Sequence, residues 1–418
     1  MSTVEELYKE RTQRIQDAIR LKQPDRVPLW FQDLSFFPAN FAGISYKEAF
    51  YETNKLFDAY TRTILYYQPD MYFNPGHAIH TPGQALEILD CRQIKWPGYG
   101  GQSSNFSFQF IEAEYMRADE YAALLADPSD FTVRTYLPRV FTALKPFTGL
   151  PPLKGLLMGY FGIPMASAFA SKDAAKALES FYKAGLETLK QARAAGQFQE
   201  KMAGLGYPLS CGAITLTPFD IISDTLRGMK GAMLDMYRQP DNLLAAIDRL
   251  LPMSIETAIL NAGMSGTPGV FIPLHRGADG FMSLQQFEKF YWPGLKKLLL
   301  ALIENGITPF PFFEGSYTDR LDYLAELPKG KILGLFDSTD IFKAKEKLGH
   351  VMCISGMMPL SLLQTGSHED IRRYTRQLID VVGRDGGFIM GPRSAMDECD
   401  PVKVKVWVDY TREYGVYR

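Results

Sequence analysis

The sequence predicts an α/β fold of the (β/α)8 TIM barrel type, in a single domain with an insertion after the second strand. Short apolar runs alternate with amphipathic helical segments through the second half of the chain. Most of these runs are apolar on both faces, as parallel strands covered by helices require. About eight or nine such units follow one another without a Pro/Gly/Ser-rich linker, and this number favours a closed barrel over an open sheet.

The elements can be placed in order along the chain. Strands are predicted at 25–31, 69–74, 155–162, 212–220, 269–275, 307–315, 331–337, 351–356 and 386–391. Helices are predicted at 46–66, 172–202 and 238–263, where apolar residues recur at spacings of three and four. Residues 1–24 are interpreted as an N-terminal helical segment and 25–418 as the barrel. Residues 91–150 fit the alternation poorly and are interpreted as an insertion packed over the barrel.

The composition excludes several classes of function. The chain has 418 residues, 46% of them hydrophobic, and 45 Lys+Arg against 47 Asp+Glu give a formal net charge of −2. This balance, without a long run of one sign, argues against a nucleic-acid surface. Four scattered cysteines without a CxxC pair indicate reduced thiols. No secretory signal is recognised, and no apolar stretch is expected to reach the roughly 18–20 residues that span a bilayer. A cytoplasmic protein without membrane contact is expected.

The active site of such a barrel lies at the carboxyl ends of its strands. The polar residues that directly follow each apolar run are therefore the candidates for chemistry. These residues are Gln32, Asp33, Asn74, His77, Thr217, Asp220, His275, Arg276, Asp279, Glu314, Asp337 and Arg393.

Glu314 is the most informative of these residues, because it ends a run of strongly apolar residues. A carboxylate in that position must be desolvated or paired, and burial without a partner would raise its pKa. His275 ends the preceding strand, so the two side chains are expected to be neighbours, with Asp337 one strand further on. We predict a catalytic role for all three. His275 and Glu314 could bind Zn²⁺ as a nitrogen and an oxygen ligand. A hydrogen-bonded His–Glu pair without metal explains the pattern equally well.

The pocket is predicted to be broad and apolar, because aromatic residues crowd the predicted strand ends. The residues expected to bind the substrate there are Trp30, Gln32, Asn74, His77, Tyr160, Phe312 and Arg276. His77 and His80 form an HxxH pair, but Pro75 and Gly76 favour a loop over a helical metal motif.

Four long segments resemble the uroporphyrinogen decarboxylase-like superfamily. They read TPFDIISDTLRGMKGAMLDMYRQPDNL, MSLQQFEKFYWPGLKKLLLALIENG, FFEGSYTDRLDYLAEL and ISGMMPLSLLQTG. The similarity covers the chain from about residue 25, and it implies a (β/α)8 barrel with a deep cleft at the carboxyl ends of its strands. The superfamily includes porphyrinogen decarboxylases and corrinoid-dependent methyltransferases.

The resemblance favours the methyltransferase branch. The decarboxylases carry an Arg-Gln-Ala-Gly-Arg block after the first strand, whereas this chain reads LWFQDLSFFPAN, without arginine. Members that methylate coenzyme M hold zinc with His-x-Cys, where this chain has Phe312-Phe313-Glu314. A thiol-activating zinc site of that kind is therefore not expected.

The resemblance thus implies a methyltransferase that moves a methyl group from a small methoxylated substrate to a separate corrinoid (cobalamin) protein, as the O-demethylase component. Glu314 and His275 would supply a proton, or ligate a metal, at the leaving oxygen. The alternative is a carboxy-lyase that acts on a bulky ring carboxylate. The partners expected are the methyl donor, the corrinoid protein and a second copy in a homodimer.

Overall fold

The computed structural model describes residues 3–32, 34–78 and 82–417, without the side chains of residues 77 and 78. It is an α/β structure with two sheets. The strands are β1 (Ile94–Lys95), β2 (Gln109–Phe110), β3 (Ala213–Ile214), β4 (Gly269–Leu274), β5 (Thr308–Phe313), β6 (Leu333–Phe336), β7 (Cys353–Met358) and β8 (Phe388–Pro392). Strands β3 to β8 form a parallel sheet in sequential order, whereas β1 and β2 pair as an antiparallel hairpin.

Helices connect these strands and cover the sheet. The α-helices are Val4–Ile19, Phe37–Ala42, Tyr46–Tyr51, Thr53–Tyr67, Pro75–Ala78, Gly83–Leu89, Tyr121–Ala126, Pro128–Phe131, Leu137–Val140, Lys172–Ala203, Pro218–Asp220, Gly228–Arg238, Pro240–Ser265, Leu284–Gln286, Trp292–Glu304, Leu321–Leu324, Ile341–Leu348, Leu360–Thr365, His368–Val381 and Pro401–Tyr414. The 3₁₀ segments are Ala118–Glu120, Thr142–Gly149, Leu153–Ala170 and Thr318–Arg320, and the π-helical turns are Thr132–Tyr136, Ile221–Leu226 and Phe287–Tyr291.

The parallel pairing continues beyond the six strands through isolated bridges. Leu29 pairs with Met390 of β8, Trp30 pairs with Met71, and Tyr72 pairs with Leu209, all in parallel orientation. The amide of Trp30 donates to the carbonyl of Met390 at 2.9 Å. The two predicted strands at 25–31 and 69–74 are therefore present only as these short pairings.

Strand β5 makes a full ladder with β4 on one side and a much shorter one with β6 on the other. Strands β4 and β5 pair along their whole length, whereas β5 and β6 pair only at Phe312–Leu335 and Phe313–Phe336. The amide of Thr308 donates towards the β4 side, to Pro268. Alternate residues of a strand point their N–H groups to opposite neighbours, so the amide positions of Pro309 and Pro311 face β6. Proline has no N–H, and the ladder on that side is accordingly short.

Prediction of a strand at 155–162 is wrong. Residues Leu153–Ala170 form 3₁₀ helix instead, with a non-helical kink at Gly159. Most of the segment is exposed, including 90% of Leu157. By length and composition alone it could cross a membrane, contrary to the expectation that no such stretch exists. An apolar run predicts a strand only if it is buried, and this one is not.

Residues 91–150 contain the β1–β2 hairpin and short helices, and they contact the segment that follows β3. The guanidinium of buried Arg227 donates to the carbonyl of Met116 at 2.6 Å and forms an ion pair with Glu114. On its other side Arg227 pairs with buried Asp235 at 2.6 Å. The carboxylate of Glu112 lies 3.5 Å from Arg276, so this part of the chain reaches the second residue after β4.

A buried ionic cluster joins the N-terminal helix Val4–Ile19 to the two short segments that pair at Trp30 and Met71. Asp70 is fully buried and pairs with Arg14 at 2.7 Å and with Arg26 at 2.8 Å. Its carboxylate also accepts the amide of Leu29 at 2.8 Å. Because Asp70 precedes Met71 and Tyr72, the cluster lies at the amino end of these pairings, away from the strand ends that carry the polar candidates.

Candidate active site

A charged network lies at the carboxyl ends of β3, β4 and β5. His275 directly follows β4, and its Nδ1 lies 2.5 Å from Oδ2 of Asp224. Its Nε2 lies 3.4 Å from Oε1 of Glu314, which directly follows β5. The imidazole is thus placed between two carboxylates. The predicted neighbourhood of His275 and Glu314 is present in the structure.

Asp220 is the most deeply buried carboxylate of this network. It is fully buried, and its carboxylate accepts the hydroxyls of Tyr291 at 2.6 Å and Thr217 at 2.9 Å. It also accepts the backbone amide of Arg276 at 3.0 Å. Burial raises the pKa of Asp220, and the positive charge of His275 opposes that rise. Asp220 therefore fixes the turn after β4 and lies beneath the imidazole.

Asp224 orients the imidazole from the π-helical turn Ile221–Leu226. Its second oxygen accepts hydrogen bonds from Ser223 and from Nε of Arg276, each at 3.1 Å. Sequence reasoning named Asp220 but missed Asp224. The spacing of four residues in PFDIISD puts both carboxylates on one side of a helical turn, and it is the signal that could have identified Asp224.

The two carboxylates determine the charge of His275. Burial by itself lowers the pKa of the imidazole, but the hydrogen bonds to Asp224 and Glu314 outweigh burial and raise that pKa to about 11. His275 is therefore an imidazolium at neutral pH. Glu314, with 42% of its side chain exposed, is paired but not desolvated, and it faces the open side of the network.

This charge state leads to a pH prediction. We expect the ring nitrogens of His275 to stay protonated from pH 6 to 9 and to titrate near the raised pKa, and Asp224→Asn to move that titration to lower pH. Since the folded pKa lies above the ordinary value, the stabilising contribution of His275 is complete below about pH 6.5 and is lost as the pH rises through the folded pKa.

Imidazole ¹⁵N NMR checks this result, with the signal assigned by its disappearance in His275→Gln. A His275 signal that titrates near pH 6.5 would contradict the network described here.

Asp337 and Arg393 extend the polar rim beyond Glu314. Oδ2 of Asp337 accepts the amide of Gly315 at 3.1 Å, which ties the residue after β6 to the loop after β5. Nε of Arg393, after β8, lies 3.9 Å from Oδ1 of Asp337. The side-chain amide of Gln32 donates to the Arg393 carbonyl at 3.4 Å. The strand-end candidates are therefore linked around the sheet.

The other predicted substrate-binding residues are spread more widely. Trp30 and Phe312 are buried in the core, and the side-chain oxygen of Asn74 accepts the amide of Gly76 at 2.9 Å. Arg276 pairs with Asp224 at 3.1 Å. Tyr160 is 77% exposed and contacts Phe161, in the segment that is not a strand. The side chain of His77, and His80 and Asp33, lie outside the described residues.

Three side chains of the network bring possible metal-ligand atoms close together. Among the described residues, Asp220, Asp224 and His275 bring one potential ligand atom each within 4.8 Å of one another, whereas Glu314 and Asp337 do not belong to this group. The oxygens of both aspartates already accept hydrogen bonds from hydroxyl, amide and guanidinium donors. This donor set fits a protonated imidazole better than Zn²⁺, which binds the neutral form of histidine.

The fold and the network together define an α/β enzyme with its polar groups at the carboxyl ends of a parallel sheet. The model of the uroporphyrinogen decarboxylase (URO-D) family matches residues 186–414, more than half of the chain. The chain belongs to this family, and the predicted superfamily is confirmed.

Two known proteins illustrate the relationship. The uroporphyrinogen decarboxylase of Syntrophotalea carbinolica is 26% identical over 177 residues, which are 42% of this chain and 49% of that protein. The match thus spans about half the length of that relative. The structure of a methyltransferase from Methanosarcina mazei superposes with a TM-score of 0.63 at 15% identity, over 99% of both chains. At this identity the likeness shows a shared fold.

Proposed function

We propose that the protein is a methyltransferase that moves a methyl group from a small methoxylated substrate to a corrinoid carried by a separate protein. The observation that carries the proposal is the position of the His275 ring between the carboxylates of Asp224 and Glu314, at the carboxyl ends of the strands. The corrinoid, when bound, supplies a nucleophilic cobalt that accepts the methyl group.

The proton of His275 would assist the departure of the ether oxygen, which is the difficult step of this reaction. The oxygen of a methyl ether is a poor leaving group unless it is protonated as the methyl group departs. The raised pKa of His275, about 11, is close to the value of about 10 for a phenol such as tyrosine. Because the raised pKa keeps the imidazole protonated at neutral pH, Nε2 has a proton to donate to a departing phenoxide. The C–O bond breaks, the oxygen takes the proton, and solvent then reprotonates His275.

The neighbouring residues would act through His275. Asp224 fixes the ring orientation through Nδ1, so that Nε2–H points to the side of Glu314. Glu314 accepts this hydrogen bond in the free enzyme and is exposed enough to meet a ligand. Asp220 holds the backbone of the turn and is shielded from solvent, which makes it a positioning residue.

The substrate's polar substituents would face Asp337, Arg393 and Gln32. Oε1 of Gln32 and Nε of Arg393 are buried and have no hydrogen-bond partner among the described residues. Buried polar atoms of this kind are uncommon, and they fit a site completed by a ligand or by water. Predicted contacts with Trp30, Phe312, Asn74 and Arg276 remain part of the proposal.

A closed eight-stranded barrel is the fold that we propose for the site. The bridges through Leu29, Trp30, Tyr72 and Leu209 support it, because they run from β8 back towards β3. The amide of Gly212 donates to the carbonyl of Gly269 at 2.8 Å, at the start of β3 and β4. In a closed barrel, Gln32 and Asn74 would complete the rim between Arg393 and Asp220.

A decarboxylase is the second candidate, favoured by the family match and by the S. carbinolica relative. The acidic residues at the rim disfavour binding of a substrate with many carboxylates. Among the described residues, the acidic Asp220, Asp224, Glu314 and Asp337 lie there. The cations His275 and Arg276 are already paired with carboxylates, and Arg393 lies 3.9 Å from Asp337. Desolvating further carboxylates beside them would be costly.

Methyl transfer can be measured directly. Purified protein incubated with cob(I)alamin and a panel of methoxylated aromatic and aliphatic compounds is expected to form methylcobalamin, which has a distinct absorbance spectrum. A boiled sample and ethoxylated analogues of the same compounds serve as controls. Release of CO₂ from a porphyrinogen, without methyl transfer from any donor, would favour the decarboxylase instead.

A further inference from the structure

The segment Leu153–Ala170 presents an apolar loop to solvent, at residues 155–162. The tip of this loop carries five large apolar side chains that are exposed over 45% to 90% of their surfaces. These side chains are Leu156, Leu157, Met158, Tyr160 and Phe161. The rings of Tyr160 and Phe161 contact each other, with their centroids 4.0 Å apart. A contiguous apolar surface of this kind marks an interaction site.

The chain reverses its direction at the tip of the loop. Gly159 has φ 62° and ψ −130°, close to the values of the first central residue of a type II′ turn, which favours glycine. The two ends of the loop meet, because a Cβ added at Gly162 would lie 2.9 Å from the carbonyl oxygen of Gly155. The loop therefore projects and returns on the same side. It does not cross a bilayer as one straight helix, although its length and composition would allow this.

The loop is anchored at its carboxyl end. Ala168 and Phe169 pack against a buried cluster that is separate from the main core. The cluster is formed by Gly83–Leu89, Thr142–Gly149 and Lys172–Ala203. Within the segment, the 3₁₀ conformation pairs backbone N–H groups with carbonyls three residues earlier. Unpaired backbone groups are costly in an apolar medium, so this pairing is needed for a loop that enters the edge of a bilayer.

The directions of the side chains favour a fluid medium over a protein partner. Successive side chains of a 3₁₀ helix point about 120° apart around its axis. Leu156, Leu157 and Met158 therefore point in three different directions, and all three are exposed. A protein partner would cover one of these directions and leave the others in water. Lipid surrounds an inserted tip on all sides.

The charge around the loop is positive. From residue 131 to residue 172 the sequence contains no Asp or Glu, although the whole chain has a formal net charge of −2. Arg134 and Arg139 in this stretch are already paired with carboxylates. The lysines of the stretch are exposed, and they are Lys145, Lys154 and Lys172. An apolar tip flanked by lysines fits a bilayer surface with anionic headgroups.

From these observations we propose that the protein binds to the surface of an anionic lipid bilayer, with residues 156–161 inserted and the flanking lysines against the lipid phosphates. The expectation of a protein without membrane contact would then not hold. The inference does not depend on the reaction proposed above, because the loop shares no residue with the network around His275.

Binding of the full chain to vesicles tests the proposal. Wild type is expected to float with vesicles made of equal parts of phosphatidylglycerol and phosphatidylcholine. Vesicles of phosphatidylcholine alone should bind it about 100-fold more weakly, because each of the three lysines near an anionic surface contributes a factor of about five. Lys154→Glu should weaken binding to the anionic vesicles. Lys331→Glu is its control, since Lys331 is exposed before β6 and away from the loop.

The apolar tip is tested by Leu157→Asp. This substitution is expected to weaken binding at least about 10-fold, because it removes the most exposed apolar side chain of the tip and adds a negative charge. Leu260→Asp is the matched control, since Leu260 is 62% exposed on the helix Pro240–Ser265 and should leave binding unchanged. Circular dichroism checks that each variant is folded.

Insertion of the tip can be observed separately by fluorescence. The native tryptophans are all buried, and they are Trp30, Trp96, Trp292 and Trp407. Tyr160→Trp adds an exposed tryptophan, whose emission should shift to the blue and be quenched by brominated lipids when anionic vesicles are added. Tyr237→Trp is the matched control, because Tyr160 and Tyr237 are 77% and 76% exposed. Its emission should not change.

Three outcomes would overturn the proposal. The first is a wild type that floats with neither kind of vesicle, or equally well with both. The second is equal binding of Leu157→Asp and Leu260→Asp. The third is a Tyr160→Trp emission that is already blue without lipid and shifts to the red on dilution, which would show that a second copy of the chain covers the tip.

Discussion

His275→Gln is expected to lower the rate of methyl transfer by about 10²- to 10⁴-fold, the usual effect of removing a general acid. Glutamine keeps a polar side chain of similar size but cannot deliver a proton to the leaving oxygen. The loss should appear in kcat with methyl ethers as donors, measured by methylcobalamin formation under single-turnover conditions. With a methyl donor whose leaving group needs no proton, such as a methyl sulfonium compound, His275→Gln should lower the rate of methyl transfer much less.

His350→Gln is the matched control for that substitution. His350 is exposed and precedes β7, at the end of the sheet opposite to the network, and its replacement should leave the rate unchanged. The pair Glu314→Gln and Glu112→Gln offers a second comparison, because the two side chains are similarly exposed but only Glu314 contacts His275. Equal rates for wild type and His275→Gln with every ether would rule out the proposed acid.

Asp70→Ala is expected to lower the free energy of unfolding by about 3–5 kcal/mol, because it removes the buried carboxylate that pairs with Arg26 and with Arg14, of which Arg14 alone keeps a second carboxylate partner, Asp25. Arg14 and Arg26 both pair with Asp70, and their side chains are 9% and 18% exposed. The amide of Leu29 would also lose its acceptor. Urea denaturation followed by circular dichroism measures the change.

Asp58→Ala provides the comparison for this substitution. Asp58 lies 3.7 Å from Lys201 with 68% of its side chain exposed, and exposed pairs contribute about 0–1 kcal/mol. A loss for Asp70→Ala no larger than that for Asp58→Ala would show that water or side-chain movement compensates the buried arginines.

Much of the sheet could be predicted from the sequence because β4 to β8 are apolar on both faces and separated by clear helical periodicity. The predicted runs at 269–275 and 307–315 contain Gly269–Leu274 and Thr308–Phe313. The same rule failed at 155–162, where an equally apolar run is exposed. Hydrophobicity along the chain does not say which neighbour, if any, covers a segment.

The site was only partly predictable for a related reason. His275 and Glu314 end successive strands, so topology alone makes them neighbours. Asp224 lies inside a helical turn after β3, and its approach to His275 depends on the path of that turn. The raised pKa of the imidazole depends on Asp224 as well as on Glu314, so it could not be inferred while Asp224 was missing from the predicted site. Glu314 was expected to be either desolvated or paired, and it is paired with His275 while 42% of its side chain stays exposed.

The short junction between β5 and β6 ties the stability of the sheet to the placement of the proposed site residues Glu314 and Asp337. Pro309 and Pro311 leave the two strands joined mainly at their carboxyl ends, where Phe313 accepts the amide of Asp337 at 3.3 Å. The bonds that hold the two parts of the sheet together there are also those that place Glu314 and Asp337. Substitutions that adapt the residues around Glu314 and Asp337 to another substrate would therefore also weaken the pairing between β5 and β6. Strands β7 and β8 pair along their length. Substitutions at the residues that follow these two strands would therefore cost the sheet less stability.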